Sequence, residues 1–340
     1  MFVTILHNAV ADDAPADERD VLVQVEAVSA ALRTLGHEPV AVPVTLDLAA
    51  LAGRLTELRP AVTFNLVEAL GGTDRLAPAV PLLLESLGVP FTGNEADALY
   101  VTNSKRLTKE RFTATNIPTP PAVYVDGGST ELVGSVREMF PGRFLIKAVY
   151  EHASFGMEDD AVIDAASQTE LLAAVRGRCE RFGKPFFAER FIDGREFNLS
   201  VLDRGDGTPD VLPPAEITFD TFPPDKPRIV GYAAKWDDGS FEYHQTSRRF
   251  GFPVEDILLL DRLRNLAIDS WRVLCLRGYA RIDFRVDETG RPWVIEANAN
   301  PCLSPDAGYA AALANAGIAY EEAIRRIVTA TGGQERANRG

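Results

Sequence analysis

The chain opens with an apolar run, Phe2–Leu6, followed by a polar stretch from His7 to Asp17. From Glu18 to Leu35 apolar residues recur at helical spacing, and Gly36 ends the run. Pro39–Val44 and Ala61–Leu66 read as strands, and residues 47–58 and Asp74–Leu87 as helices, the last closed by Gly88. Strands alternating with helices predict a parallel sheet covered on its faces. Neither GxGxxG after a strand nor GxxxxGK with Ser or Thr occurs here, which excludes the common dinucleotide and P-loop cradles. A boundary is predicted at residues 94–102, then a helix over Asn103–Thr115, and Pro118-Thr-Pro-Pro121 opens a new unit. A hairpin turned by Asp193-Gly194 is predicted for Phe186–Leu202. Residues 203–250, rich in Pro, Gly and Asp, mix strands and loops, with Tyr232-Ala-Ala-Lys-Trp236 read as an apolar strand. A long helix over Pro253–Leu276, two helices within Asp306–Thr329 and a frayed tail from Gly332 to Gly340 complete the reading.

Between the long helix and the last two helices lies a second predicted hairpin, Gly278–Pro301, turned near Gly290. A two-residue tip at Thr289-Gly290 sets Asp283 opposite Glu296 and Arg281 opposite Asn298. One face then carries Arg281, Asp283, Arg285, Val294, Glu296 and Asn298. Ala280, Ile282, Phe284, Val286, Trp293, Ile295 and Ala297 form the core face. Two carboxylates directly opposed across a ladder repel each other, and a hard divalent cation removes that cost. The alternative is a solvated polar face, but such a face would set Lys or Arg against Asp283.

With 340 residues, two or three domains are expected, and 46% hydrophobic and 25% charged residues suit a globular protein. A net charge of −14 argues against a nucleic-acid partner, which would require a basic patch. No apolar run is long enough to span a membrane. Met1–Val10 reads as a first strand, not a signal peptide. Cys179, Cys275 and Cys302 are odd in number and widely spaced, as expected of reduced thiols in a cytoplasmic protein.

Three lysines stand where a phosphate chain could meet them. Lys147 closes the apolar run Phe144–Lys147, and Glu151-His-Ala-Ser-Phe-Gly-Met157 follows as a small-residue loop able to fold its N–H groups over phosphates. Lys105 starts a helix, and Lys235 sits in the segment 232–236. Taken singly, each is more simply a solvated charge. Glu189 and Glu196 flank a turn that contains Phe191 and Ile192, a pairing of acids and apolar groups suited to a nucleoside or to any exposed hairpin. His152 lies within the small-residue loop, either against substrate or in solvent, and His37 reads as a surface residue. No partner is evident for His7 or His244.

The order of these pieces resembles the ATP-grasp superfamily, and within it the D-alanine–D-alanine ligases. The likeness runs over nearly the whole chain: Ala16–Val21, Gly88–Gly93, Lys147…Glu151…Ser154-x-Gly156, Glu189–Glu196, Arg281-Ile-Asp283 and Glu296-Ala-Asn298. It implies an α/β and α+β protein of the ATP-grasp fold. Residues 1–98 would form a Rossmann-like parallel-sheet domain, 99–198 a central nucleotide lid and 199–331 a metal-binding domain, with 332–340 a flexible tail. It also implies ATP-dependent joining of a carboxylate to an amine through an acyl phosphate. Asp283, Glu296 and Asn298 would hold two magnesium ions, or manganese in their place. Lys105, Lys147 and Lys235 would meet the phosphates, with Glu151, Ser154 and Asn298 also on the nucleotide side. Glu189, Phe191, Ile192 and Glu196 would frame adenine and ribose. Arg281 and Ser154 would serve catalysis, and Glu18 would orient the amine of the first substrate, an amino acid or short peptide. A homodimer is implied by resemblance alone. The chain departs from the ligase pattern at Phe64–Asp74, at Ala153 beside Ser154, at Cys302 and at Ala307, where a serine is expected to bind the acceptor carboxylate. The departures point to an altered acceptor. A catalytically silent nucleotide-binding module and a magnesium hydrolase built on Asp283 and Glu296 stand as alternatives.

Overall fold

The computed structural model describes residues 1–126, 129–133 and 139–333. In the first unit, β1 (Phe2–Asn8), α1 (Ala16–Thr34), β2 (Glu38–Val44), α2 (Leu48–Leu58), β3 (Val62–Asn65) and α3 (Ala79–Ser86) alternate as expected. The sheet is parallel in the order β2-β1-β3. Val3, Ile5 and Leu6 of the central strand are fully buried, which explains its run of apolar residues, interrupted only by the equally buried Thr4. The helix expected over Asp74–Leu87 is instead a 3₁₀ turn at Asp74–Leu76 followed by α3. Proline is tolerated only in the first helical turn, so Pro78 and Pro81 force the helix to begin there.

Helix α4 (Ala96–Thr102) occupies the predicted boundary, and α5 (Lys105–Ala114) follows with Ser104 as its cap, the hydroxyl accepting from Leu107 N–H at 3.3 Å. The second sheet comprises β4 (Ala122–Asp126), β5 (Ser129–Val133), β6 (Gly142–Ala148), β7 (Val162–Ala165) and, after α6 (Gln168–Phe182), β8 (Phe186–Arg190). It is antiparallel, ordered β5-β4-β8-β6-β7.

The remainder forms the third unit. It contains β9 (Arg195–Asp203), β10 (Pro209–Val211), β11 (Ala215–Thr218), α7 (Ala233–Trp236), α8 (Phe241–Gln245), β12 (Ser247–Arg249), α9 (Ile257–Val273), β13 (Tyr279–Val286), β14 (Pro292–Asn298), α10 (Gly308–Asn315) and α11 (Tyr320–Thr329). Its sheet runs β12-β11-β9-β13-β14, with β10 beside β9. The expected hairpin Phe186–Leu202 does not form, since β8 pairs with β4 and β6, and β9 with β11 and β13. Asp193-Gly194 therefore carries the chain between two sheets, and the changeover lies ahead of residue 198. A Cβ at Gly194, whose φ is 135°, would lie 2.1 Å from the Val286 carbonyl oxygen, so only glycine fits this crossing. Ala98, Leu99 and Phe112 pack with β9, β13, β14 and α9, so α4 and α5 belong to the third core and not to the second. Lys235 lies in the one-turn helix α7, not in a strand; Trp236 there donates its indole N–H to Ala153 O at 3.2 Å.

The hairpin of β13 and β14 pairs Asp283 with Glu296 and Arg281 with Asn298, as expected, by an unexpected route. Its tip is one residue longer, with Asp287 N–H bonded to Arg291 O and Gly290 at φ 78°. An irregularity between Asp283 and Phe284 then restores the register. Between tip and bulge the faces are exchanged. Val294 is fully buried in the core, while Ile295 lines the cleft described below and Trp293 lies under Arg291.

The first and third units share a core in which Val28, Leu32, Tyr279, Tyr309 and Ile324 meet. Gly332 and Gly333 close a 3₁₀ turn, and the rest of the expected tail, 334–340, lies outside the described residues. No helix among the described residues is long and apolar enough to cross a membrane. The three cysteines are free.

Candidate active site

A cleft of about 1680 Å³ opens where the three units meet. Its walls include every residue singled out from sequence: Glu18, Lys105, Lys147, Glu151, Ser154, Glu189, Phe191, Ile192, Glu196, Lys235, Arg281, Asp283, Glu296 and Asn298. Residues nearly 280 positions apart thus share one surface.

The opposed carboxylates, Asp283 buried and Glu296 half-buried, sit in a crowd of cations. Arg281 forks onto Asp283 through Nε and Nη2 at 2.7 and 2.8 Å, and Asn198 donates to Asp283 Oδ1 at 2.8 Å. Glu296 Oε1 lies 3.1 Å from His152 Nδ1 and 3.5 Å from Lys105 Nζ. Burial alone would raise the Glu296 carboxyl, but Lys105 and His152 hold it well below the ordinary carboxylate range. Asn298 Oδ1 accepts Asn300 N–H at 2.9 Å and keeps a second lone pair. Among the described residues no group of three His, Cys, Asp or Glu side chains is already arranged to hold a metal ion. Two carboxylates and an amide oxygen nevertheless form an all-oxygen donor set, which suits magnesium, and the cations at both acids mark where positive charge belongs.

The residues expected on the nucleotide side are just as tightly tied. Glu189 is buried between Lys147 at 2.6 Å and Lys109 at 2.7 Å. Burial would raise its carboxyl, and the two lysines outweigh that and lower it. Glu196 pairs with Arg285 at 2.9 Å, yet burial still raises its carboxyl. Arg285 lies over the Phe191 ring, 5.6 Å from its centroid. Lys235 has no ion pair among the described residues, and burial followed by Arg281 lowers its ammonium.

The small-residue loop is held in a strained form, with Ala153 and Ser154 both at positive φ, 55° and 62°. Ser154 Oγ donates to Val230 O at 2.7 Å, and His152 N–H to Asp74 Oδ2 at 2.6 Å. Lys105 Nζ donates to Glu151 O at 2.7 Å, and Lys184 reaches the Glu151 carboxylate at 2.9 Å. Glu151 and Ser154 therefore shape the loop from within. Tyr232 OH lies 3.3 Å from Asp17 at the start of α1, closing the cleft beside the exposed Glu18.

Segments 282 positions apart, α1 and the loop before α10, meet at the far end of the cleft. Cys302 Sγ lies 3.0 Å from Asp20 Oδ2, and Ser304 Oγ donates to Asp20 Oδ1 at 2.9 Å. Burial and the neighbouring Glu68 and Asp20 raise the Cys302 thiol, so it stays protonated and unreactive.

Further site residues carry no sequence signal of their own. Lys109, Lys184 and Asp74 look like ordinary surface charges in sequence; only for Lys109 is there a hint, one helical turn after Lys105 on the same face of α5. Gln24 donates to Glu68 Oε1 at 2.9 Å, while its own oxygen accepts Leu303 N–H at 3.0 Å, which fixes the amide's orientation. Burial raises the half-buried Glu68 carboxyl to about 7. Arg248 reaches the loop before α10, donating to Asp306 O at 3.1 Å beside Ala307 and Gly308. His152 is tied to Glu296 and Asn103, His7 bonds Asn8 O, and His37 stands 3.3 Å from the N-terminal amine.

Residues 128–329 match the family model described as D-ala D-ala ligase C-terminus, which is more than half of the chain. The chain belongs to the D-alanine–D-alanine ligase family. It is 30% identical to the D-alanine–D-alanine ligase of Moorella thermoacetica over 92% of this chain and 95% of that protein. It is 29% identical to an uncharacterised protein of Sinorhizobium fredii over 89% of this chain and 85% of that one. In fold it is similar to the D-alanine–D-alanine ligase of Bacillus anthracis complexed with ATP, with a TM-score of 0.75, 18% identity and complete coverage of both chains. The fold is thus the ATP-grasp fold of these ligases, and the protein is an ATP-dependent ligase of this family.

Proposed function

We propose that this family member joins a carboxylate to an amine through an acyl phosphate, and that its acceptor differs from the D-alanine of its relatives. The observation that carries the reading is the meeting of Asp283, Glu296, Arg281, Lys105, Lys147 and Lys235 on one cleft wall. ATP is the phosphoryl donor. Asp283, Glu296 and Asn298 would hold magnesium, which supplies charge neutralisation between the phosphates. Lys105, Lys147 and Lys235 would meet the phosphates as point charges, and Phe191, Ile192, Glu189 and Glu196 would frame the nucleoside. The donor carboxylate oxygen attacks the γ-phosphorus and ADP leaves. The amine then attacks the acyl carbon, loses a proton and expels phosphate. Arg281 faces the oxyanion of that second step, and Glu18 orients the first substrate's amine. We assign residues 1–98 to substrate binding, 99–198 to the nucleotide lid and 199–331 to the metal-bearing unit, with α4 and α5 moving with the last.

The acceptor end supports the altered preference. Ala307 offers no hydroxyl, and the Arg248 guanidinium lies against the same loop with no carboxylate partner within 4 Å among the described residues. An acceptor carboxylate would meet Arg248 there. The test is phosphate release from ATP and magnesium over pairs of D- and L-amino acids and short peptides, with mass spectrometry of the products. An amide from a pair other than D-alanine with itself is expected. Efficient formation of D-alanyl-D-alanine would refute the altered acceptor, and nucleotide-dependent stabilisation without any turnover would refute the ligase mechanism.

A further inference from the structure

We infer that Lys109 is a positioning residue, the permanent counter-ion of Glu189, and that it thereby leaves Lys147 free to take the nucleotide. The inference rests on the reading of the cleft as an ATP site.

The two lysines on Glu189 are not equivalent. Lys109 Nζ is ion-paired with Glu189 Oε2 at 2.7 Å and donates to Thr119 Oγ1 at 2.9 Å and to Pro120 O at 3.0 Å. It is 2% exposed and absent from the cleft wall. Its seat is rigid, because Pro118 O accepts Val294 N–H at 2.7 Å and Pro121 O accepts Arg190 N–H at 2.9 Å. The Pro118–Pro121 segment is thus pinned to the second and third sheets at once. Lys147, by contrast, lines the cleft and meets Glu189 Oε1 at 2.6 Å.

Charge counting gives the consequence. One carboxylate and two ammonium groups leave one positive charge, and of the two lysines only Lys147 lines the cleft and has room to move. A phosphate can draw it away while Glu189 keeps Lys109. Without Lys109 the remaining pair would be neutral and closed, and pulling Lys147 away would strand a buried carboxylate.

The test measures MgATP binding by calorimetry for the full chain and for Lys109→Met, Glu189→Gln and the double variant. Lys109→Met is expected to weaken binding about tenfold or more, as for loss of a unit charge near phosphates at an effective dielectric of about 20. In the Glu189→Gln background, where there is no carboxylate to neutralise, the same substitution should change affinity less than about threefold. Equal losses in both backgrounds would make Lys109 a structural staple and overturn the inference, as would unchanged binding by Lys109→Met. If Lys109→Met does not fold, the comparison of Glu189→Gln with the double variant still decides, since a large loss there contradicts the counter-ion role. Absence of MgATP binding by the wild-type protein would instead defeat the nucleotide reading itself.

Discussion

Glu68→Gln should make the protein more stable at alkaline pH than at mildly acidic pH, relative to wild type. Burial, with Asp74 and Asp20 nearby, raises the Glu68 carboxyl to about 7 against Gln24 and His152, which lower it. A folded-state value above the unfolded one means that the folded protein keeps a proton the unfolded chain has released. Stability from this group is therefore fully present below about pH 4.5 and is lost as pH rises through 7. Between pH 5.5 and 8 the ceiling is about 2 kcal/mol, from roughly 1.5 units at about 1.36 kcal/mol each. Glu68 lies on a cleft wall where water screens it, so about 1 kcal/mol is expected. The amide of the variant still accepts from Gln24, so the substitution removes the titration and little else. Urea midpoints of both proteins at pH 5.5, 6.5 and 8, above the isoelectric point near 4.9, measure the gap. A gap that stays constant across this range would refute the reasoning.

Gly194→Ala should destabilise the protein by on the order of 3 kcal/mol, read from chemical denaturation, because the new Cβ would meet the Val286 carbonyl oxygen in backbone that cannot yield cheaply. Glu296→Gln should lower phosphate release at least about a hundredfold and raise the magnesium concentration needed for half-maximal rate, as a magnesium titration would show. Arg248→Ala should raise the acceptor KM about tenfold and leave the ATP KM unchanged; steady-state kinetics with the acceptor found in the amino-acid screen separates the two.

Periodicity in the sequence determined the alternating first unit, the long helix α9, the last two helices and the existence of the β13–β14 hairpin. The spacing of Arg281, Asp283, Glu296 and Asn298 also carried the family likeness, because a β-ladder converts separation in sequence directly into opposition in space. Pairing partners were another matter. Apolar patterning around Asp193-Gly194 suits a hairpin as well as a crossing between sheets, and only the competing strands β4, β6, β11 and β13 decide between them. The bulge that moves Val294 into the core and Ile295 to the cleft likewise arises from fitting a longer tip to the register of the Asp283–Glu296 and Arg281–Asn298 pairs. Lys109 shows the same limit in side-chain chemistry. Its residue type says only that it carries a charge; burial beside Glu189, brought from eighty positions away, decides what that charge is for. Local sequence reports which face of an element is apolar, whereas the partner that covers it is set by long-range packing, which no short window contains.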